Sequence, residues 1–140
     1  MSDPVARREV SAAVVLSGGR VLVQTRAGAG RYQGYWEFPG GGREAGESVE
    51  DCVRRECLEE LGLEVQVLEA LHEQCWSYPG AQVRVVFLLC APARDAHQAR
   101  PLEGQQMRWV EASELPDLRF LPANARVLEL VAQRLAQPDS

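Results

Sequence analysis

Residues Gly41–Leu63, GGREAGESVEDCVRRECLEELGL, decide the reading of this chain. The stretch opens on a glycine-rich loop and then turns helical. Ser48 suits an N-cap, Glu50 and Asp51 suit a first turn, and Gly62 is a natural stop, so a helix is expected to run to Leu61. Val49, Cys52, Val53, Cys57 and Leu61 give that helix one apolar face. Glu56, Glu59 and Glu60, spaced i, i+3 and i+4, share another. Like charges so placed repel and destabilise a bare helix. Clustered carboxylates with no lysine beside them suit a hard cation, Mg²⁺ or Mn²⁺, rather than zinc. A solvated acidic face is the other reading, and spacing alone leaves both open.

Before this stretch, Glu9–Leu16 is apolar and β-branched, Ser17-Gly18-Gly19 turns, and Arg20–Thr25 alternates, which together read as a hairpin. Arg26–Gly34 is a loop, and Tyr35–Phe38 a short strand ended by Pro39 and three glycines. After it, Leu63–Tyr78 reads as a long strand, Pro79-Gly80 as a turn, and Gln82–Ala91 as a very apolar strand. Ala93–Pro101 is a polar loop and Gln106–Val110 a short strand. Pro122 starts a last helix with Val127, Leu128, Leu130, Val131 and Leu135 on its apolar face. The order β-β-β-α-β-β-β-α fits an α/β (α+β) domain, a mixed sheet covered by helices.

A chain of 140 residues is enough for one domain, residues 1–140, and too short for two ordinary ones. The net charge of −5 argues against a basic nucleic-acid-binding face. No apolar run reaches the roughly 18 residues of a spanning helix, and MSDPVARREV has no apolar signal-peptide centre, so a cytoplasmic location is expected. Cys52, Cys57, Cys75 and Cys90 show no C-x-x-C spacing and are expected as free thiols. All 15 basic residues are arginine, and lysine and isoleucine are absent, which reads as the coding bias of a GC-rich genome. Asn124 is the only asparagine, a weak sign that its side chain is needed.

Gly41, Glu47, Arg55, Glu56, Cys57, Glu59, Glu60, Gly62 and Leu63 fill every fixed position of G-x5-E-x7-R-E-U-x-E-E-x-G-U, with U apolar. On these residues the chain resembles the Nudix hydrolases, residues 41–63 being the Nudix box. Trp36-Glu37-Phe38-Pro39-Gly40-Gly41 and Phe120-Leu121-Pro122-Ala123-Asn124 resemble two further landmarks of the MutT-type (8-oxo-dGTP diphosphatase) branch. The resemblance implies an α/β/α sandwich and Mg²⁺-dependent hydrolysis, with Mn²⁺ an acceptable substitute, of a nucleoside diphosphate linked to a further group. In the MutT branch that group is phosphate, and the products are a nucleoside monophosphate and pyrophosphate.

The resemblance also implies roles. Glu56, Glu59 and Glu60 hold the metal, with the Gly40 carbonyl as a further ligand. Glu56 is the candidate to activate water, Arg55 and Glu47 orient the carboxylates, and Glu103 in its loop is a ligand or a base. Arg26 contacts phosphate, while Glu37, Phe38 and Asn124 contact the nucleotide; Arg31, in the same loop as Arg26 where the branch carries a different polar residue, is a further candidate contact. The chain departs from the branch at Ala81, where MutT carries a substrate-contacting arginine after the turn; Arg84 comes three residues later. Trp76 and Tyr78 could stack on a base or merely pack. Pro79 stands where ADP-ribose hydrolases carry proline and the MutT branch also tolerates it. The expected partner is a small nucleotide, most simply 8-oxo-dGTP, with no membrane or nucleic acid, and the protein is a monomer or homodimer. A pyrimidine triphosphate such as CTP or a methylated dCTP is the alternative base, although relatives of that kind tend to carry Asp at Asn124. A non-catalytic nucleotide sensor is the third reading; such modules often lose box glutamates, and this chain keeps all of them.

Overall fold

The computed structural model describes residues 6–27 and 32–137. Among the described residues the strands and α-helices run in the order β1 (Ala6–Ser17), β2 (Arg20–Thr25), β3 (Trp36–Glu37), β4 (Gly40–Gly42), α1 (Val49–Leu61), β5 (Val65–Tyr78), β6 (Ala81–Pro92), β7 (Met107–Val110) and α2 (Ala125–Leu135). The sheet is mixed. β1 runs parallel to β6 and antiparallel to β2 and β4. β5 lies antiparallel at the far side of β6, and β7 beside β2. Among the described residues no helix is long and apolar enough to cross a membrane.

Alternation along the central strands builds two cores. Ala12, Val14, Val21, Val23, Phe87 and Leu89 face one way and pack with Val127 and Val131 of α2. Ala13, Val15, Leu22, Val86, Leu88 and Cys90 face the other way and pack with Val53, Cys57 and Leu61 of α1. Strands buried on both faces must read as nearly continuous apolar runs, which is why β1 and β6 do. Burying each of the valine, leucine and phenylalanine side chains among them is worth roughly 1.5–3 kcal/mol. The result is an α/β/α sandwich. The α1 helix forms as its residues require: Ser48 Oγ accepts from the Asp51 N–H at 3.0 Å, and Gly62 closes it in the left-handed region.

Two details differ from the sequence reading. The segment after Tyr35 forms two short strands, because β1 and β2 pair only near their turn, at Leu16–Val21 and Ser17–Arg20. Beyond that point they splay, and residues 36–42 cross the gap. Glu37 pairs with Gln24 of β2, whereas Gly40 pairs with Ala12 of β1, and the Ala13 N–H donates to the Pro39 carbonyl at 2.7 Å. At the other end, Pro122–Asn124 forms a short 3₁₀ turn ahead of α2, which starts at Ala125. The cysteines among the described residues are unpaired, with Cys52, Cys57 and Cys90 buried and Cys75 exposed.

Candidate active site

The crossing segment brings bare backbone against the start of α1. A Cβ on Gly40 would sit 2.1 Å from the Ser11 carbonyl oxygen, so only glycine allows the two strands this approach. A Cβ on Gly41 would sit 2.7 Å from the Glu56 carboxyl carbon. The missing side chain of Gly41 is thus the cradle in which the Glu56 carboxylate rests.

Arg55 organises the carboxylates around that cradle. Its Nε donates to Glu47 Oε2 at 2.8 Å and its Nη2 to Glu47 Oε1 at 3.0 Å, a two-pronged grip. Nη1 donates to Glu56 Oε1 at 2.8 Å and more loosely to Glu59, while Nη2 also donates to the Gly42 carbonyl at 3.1 Å. The guanidinium, helped by the Glu44 N–H, pulls the Glu47 carboxyl down to about 2. Glu56 goes the other way: burial raises it, Arg55 partly opposes the rise, and the charges of Glu59 and Glu103 add to it.

Glu60 departs from its two partners on the helix. Glu59 is exposed, but Glu60 turns under the helix and is buried, with Oε1 accepting from Gln24 Nε2 and Oε2 from the Gly40 N–H, both at 3.0 Å. Burial pushes its carboxyl up to about 8, against the pull of the Gln24 bond and with Glu56 and Glu37 adding to the rise. Gln105, also buried, donates to Gln24 Oε1 at 3.2 Å and to the Glu60 backbone carbonyl at 2.9 Å. Its own Oε1 accepts from the Glu103 N–H at 2.8 Å, so the loop carrying Glu103 is moored to the base of the helix. Glu103 reaches the site electrostatically, since its charge raises both Glu37 and Glu56.

An open cleft of about 470 Å³ runs from Gly40 and Gly41 past Arg26, Glu37 and Phe38. It continues into a pocket of about 160 Å³ that ends at Gln74, Trp76 and Asn124. Arg26 and Glu37 face each other at 3.9 Å. Phe38 is a core side chain, edge-on to Phe87, that gives the cleft only a small apolar wall. Asn124 stands at the cap position of α2, yet its side chain makes no capping bond. Trp76 is an exposed rim residue of this pocket. Arg31 and the side chain of Tyr78 lie outside the described residues.

The NUDIX domain family matches residues 6–131. The chain belongs to the Nudix family. It is 32% identical over 93% of its length, and over 96% of the relative, to the CTP pyrophosphohydrolase of Escherichia coli K12. It is 33% identical over 82% of its length, and 81% of the relative, to a putative 8-oxo-dGTP diphosphatase 2 of Mycobacterium tuberculosis H37Rv. The MutT Nudix hydrolase of Burkholderia pseudomallei superposes with a TM-score of 0.77 at 26% identity, covering 89% of this chain and 98% of that one. The protein is accordingly a Nudix hydrolase, an enzyme of phosphoric anhydrides.

Nudix enzymes typically use a divalent metal. Among the described residues no group of three His, Cys, Asp or Glu side chains converges closely enough to hold a metal ion as it stands. Glu60 faces inward, Glu59 outward and Glu56 leans on Arg55. The donors still fit a hard cation chemically, being oxygen ligands throughout: Glu56 rests in the Gly41 cradle, the Glu103 charge reaches Glu37 and Glu56, and the Glu37 and Glu56 charges reach Glu60.

Gln24, Gln74 and Gln105 belong to no motif in the sequence, yet the fold brings them to the site. Gln24 carried a signal, a polar residue within the otherwise apolar and fully buried positions of β2. Gln74 donates to the Ala123 carbonyl at 2.6 Å and pairs with His72 Nε2 at 3.0 Å, so it anchors the turn that carries Asn124 to β5.

Proposed function

We propose that this Nudix hydrolase is a nucleoside triphosphate pyrophosphohydrolase of the MutT type, cleaving 8-oxo-dGTP to 8-oxo-dGMP and pyrophosphate. The observation that carries the reading is one continuous cleft with the bare backbone of Gly40 and Gly41, against which the Glu56 carboxylate rests, at one end and an Asn124 amide free of capping duty in a largely apolar pocket at the other. Apolar pockets with a few placed polar groups suit a flat base. The glycine end, with Glu56 against Gly41, suits a phosphate chain with its cation.

Glu56, Glu59, Glu60 and the Gly40 carbonyl, with Glu103, are the groups that would hold Mg²⁺, or Mn²⁺ in its place. When bound, the cation neutralises phosphate charge and assists an attacking water. Glu56 takes the proton of that water, with Glu103 the alternative base. Arg55 keeps Glu56 against Gly41, and Glu47 keeps Arg55 in register. Arg26, Glu37 and Phe38 line the middle of the cleft and orient the nucleotide. Water attacks the β-phosphorus, the bond from it to the bridging oxygen breaks, and that oxygen stays with the monophosphate. Hydrolysis in ¹⁸O-water should therefore label pyrophosphate, whereas label in the monophosphate would mean attack at the α-phosphorus.

The full-length similarity to a CTP pyrophosphohydrolase favours a second reading, the same reaction on CTP or a methylated dCTP. A panel of 8-oxo-dGTP, dGTP, CTP, 5-methyl-dCTP, ADP-ribose and diadenosine polyphosphates with Mg²⁺ separates the two. Highest kcat/KM on 8-oxo-dGTP supports the first, and highest on a cytosine nucleotide replaces it with the second.

A further inference from the structure

The two ends of the cleft differ in what they add to a shared middle. One adds Gln74, Trp76 and Asn124; the other adds Gly40, Gly41 and Arg8. Arg8 is a residue that motif reasoning passes over, since it lies ahead of every landmark of the family resemblance. Its place follows from strand alternation: Arg8, Val10 and Ala12 share one face of β1, and Val10 and Ala12 line the cleft. In the parallel register Arg8 lies opposite Val83, two residues beyond the Ala6–Ala81 pair. Its guanidinium lies over the glycine strand, with Nε 3.7 Å and Nη2 3.8 Å from where a Cβ on Gly42 would be.

The charges around it are committed elsewhere. On the opposite face of β1, Glu9 pairs with Arg43 and with Arg84 at 3.5 Å, and Arg84 pairs with Glu73. Arg26, deeper in the cleft, faces Glu37. Arg8 takes part in no ion pair among the described residues, and it is exposed. An arginine fork without a carboxylate, set beside bare backbone at the glycine end of a cleft, is built to receive an anion with paired oxygens.

We infer that Arg8 grips the phosphate chain of the substrate, supplying from β1 the cation that Ala81 does not supply from β6. The inference rests on the cleft being the nucleotide site. Arg8 is then a binding residue: it holds the polyphosphate and leaves proton transfer to the carboxylates. Its contribution falls on the substrate and on pyrophosphate, and little on the monophosphate product.

The test uses the full chain as wild type, Arg8→Ala and Arg8→Lys. Calorimetry measures binding of inorganic tripolyphosphate, and steady-state kinetics with Mg²⁺ measures KM and kcat on the best nucleotide of the panel. Arg8→Ala should weaken tripolyphosphate binding and raise KM by about tenfold or more, with kcat within about twofold. Arg8→Lys should recover part of both, and inhibition by the monophosphate should stay near wild type. A merely structural arginine would instead lower the melting temperature, shift monophosphate inhibition equally and gain nothing from lysine. Unchanged tripolyphosphate binding in Arg8→Ala, or a wild type that does not bind it, overturns the inference. Failure to hydrolyse any nucleotide while tripolyphosphate binding depends on Arg8 would instead overturn the proposed activity and leave this site standing.

Discussion

Arg55 holds Glu47 with both prongs of its guanidinium, at 2.8 and 3.0 Å, across the turn from the glycine loop into α1. The Glu47 carboxyl, only 13% exposed as a side chain, is held at about 2, below its ordinary 4.5. A depressed acid adds stability that is present above its unfolded value and is lost as pH falls toward its folded one. The melting-temperature gap between wild type and Glu47→Gln should therefore be widest above about pH 5 and should close between about pH 4.5 and 2. Constant spacing of the two curves down to pH 2 would show that the grip adds no stability. At neutral pH Glu47→Gln should also lose about 10–100-fold in kcat, because Arg55 no longer fixes Glu56.

Gly40 and Gly41 should respond differently to one methyl group. At Gly41 the new Cβ meets the end of a flexible side chain, the Glu56 carboxylate, at 2.7 Å. The carboxylate can move aside, so Gly41→Ala should fold with a melting temperature within about 3 °C of wild type while turnover falls about tenfold or more. At Gly40 the Cβ meets strand backbone at 2.1 Å, and Gly40→Ala should express poorly or melt far lower. Glu56→Gln keeps shape and removes the charge, and should lose roughly 10²-fold or more in turnover with folding intact. Near-normal turnover in Glu56→Gln would remove it from the reaction.

The parts of this architecture legible in the sequence are those set by local rules. The α1 helix and its Ser48 and Gly62 ends follow from spacing and capping, and the two apolar strands follow from burial on both faces. Glu60 shows where such rules stop. Helical spacing places it beside Glu56 and Glu59, but its direction depends on Gln24 and Gln105, which only the folded chain brings within hydrogen-bond reach. The Gln24 and Gly40 donors offset only part of what burial and the Glu56 and Glu37 charges impose on this carboxylate. The split of residues 36–42 into two strands was hidden for the same reason, because it depends on how far β1 and β2 splay. Arg8 shows the reverse case: its alternation was legible, but the cleft that gives the alternation meaning was not.

Glu60 should make the metal-free protein less stable as pH rises from about 4.5 to about 8. Its carboxyl sits at about 8 through burial, above the ordinary 4.5. A raised acid binds its proton more tightly in the folded state, so between those two values stability falls as pH rises. In a chelating buffer the melting temperature of wild type should drop by about 5 °C or more from pH 5 to pH 8.5, relative to Glu60→Gln measured alongside. Parallel curves for the two proteins would mean that Glu60 is already ionised at pH 5.

Asn124 should decide between the two bases. Its amide is free of capping duty and lies in the pocket beside Gln74, whose Nε2 is committed to the Ala123 carbonyl. A carboxamide offers an acceptor and two donors. Guanine presents acceptors at both O6 and N7, whereas 8-oxoguanine carries a hydrogen on N7. Asn124 can donate to O6 and accept from that N7–H together, but with ordinary guanine its oxygen faces a lone pair. A buried mismatch of this kind costs roughly 1–3 kcal/mol, or about 10–150-fold. Asn124→Ala should therefore lower kcat/KM for 8-oxo-dGTP by about that factor more than for dGTP. Asn124→Asp should also lose the preference, because its carboxylate repels O6, and in that variant cytosine nucleotides, with their N4 donor, should gain relative to guanine ones. If both variants keep the wild-type ratio between 8-oxo-dGTP and dGTP, Asn124 does not read the base, and the pyrimidine triphosphate becomes the better substrate assignment.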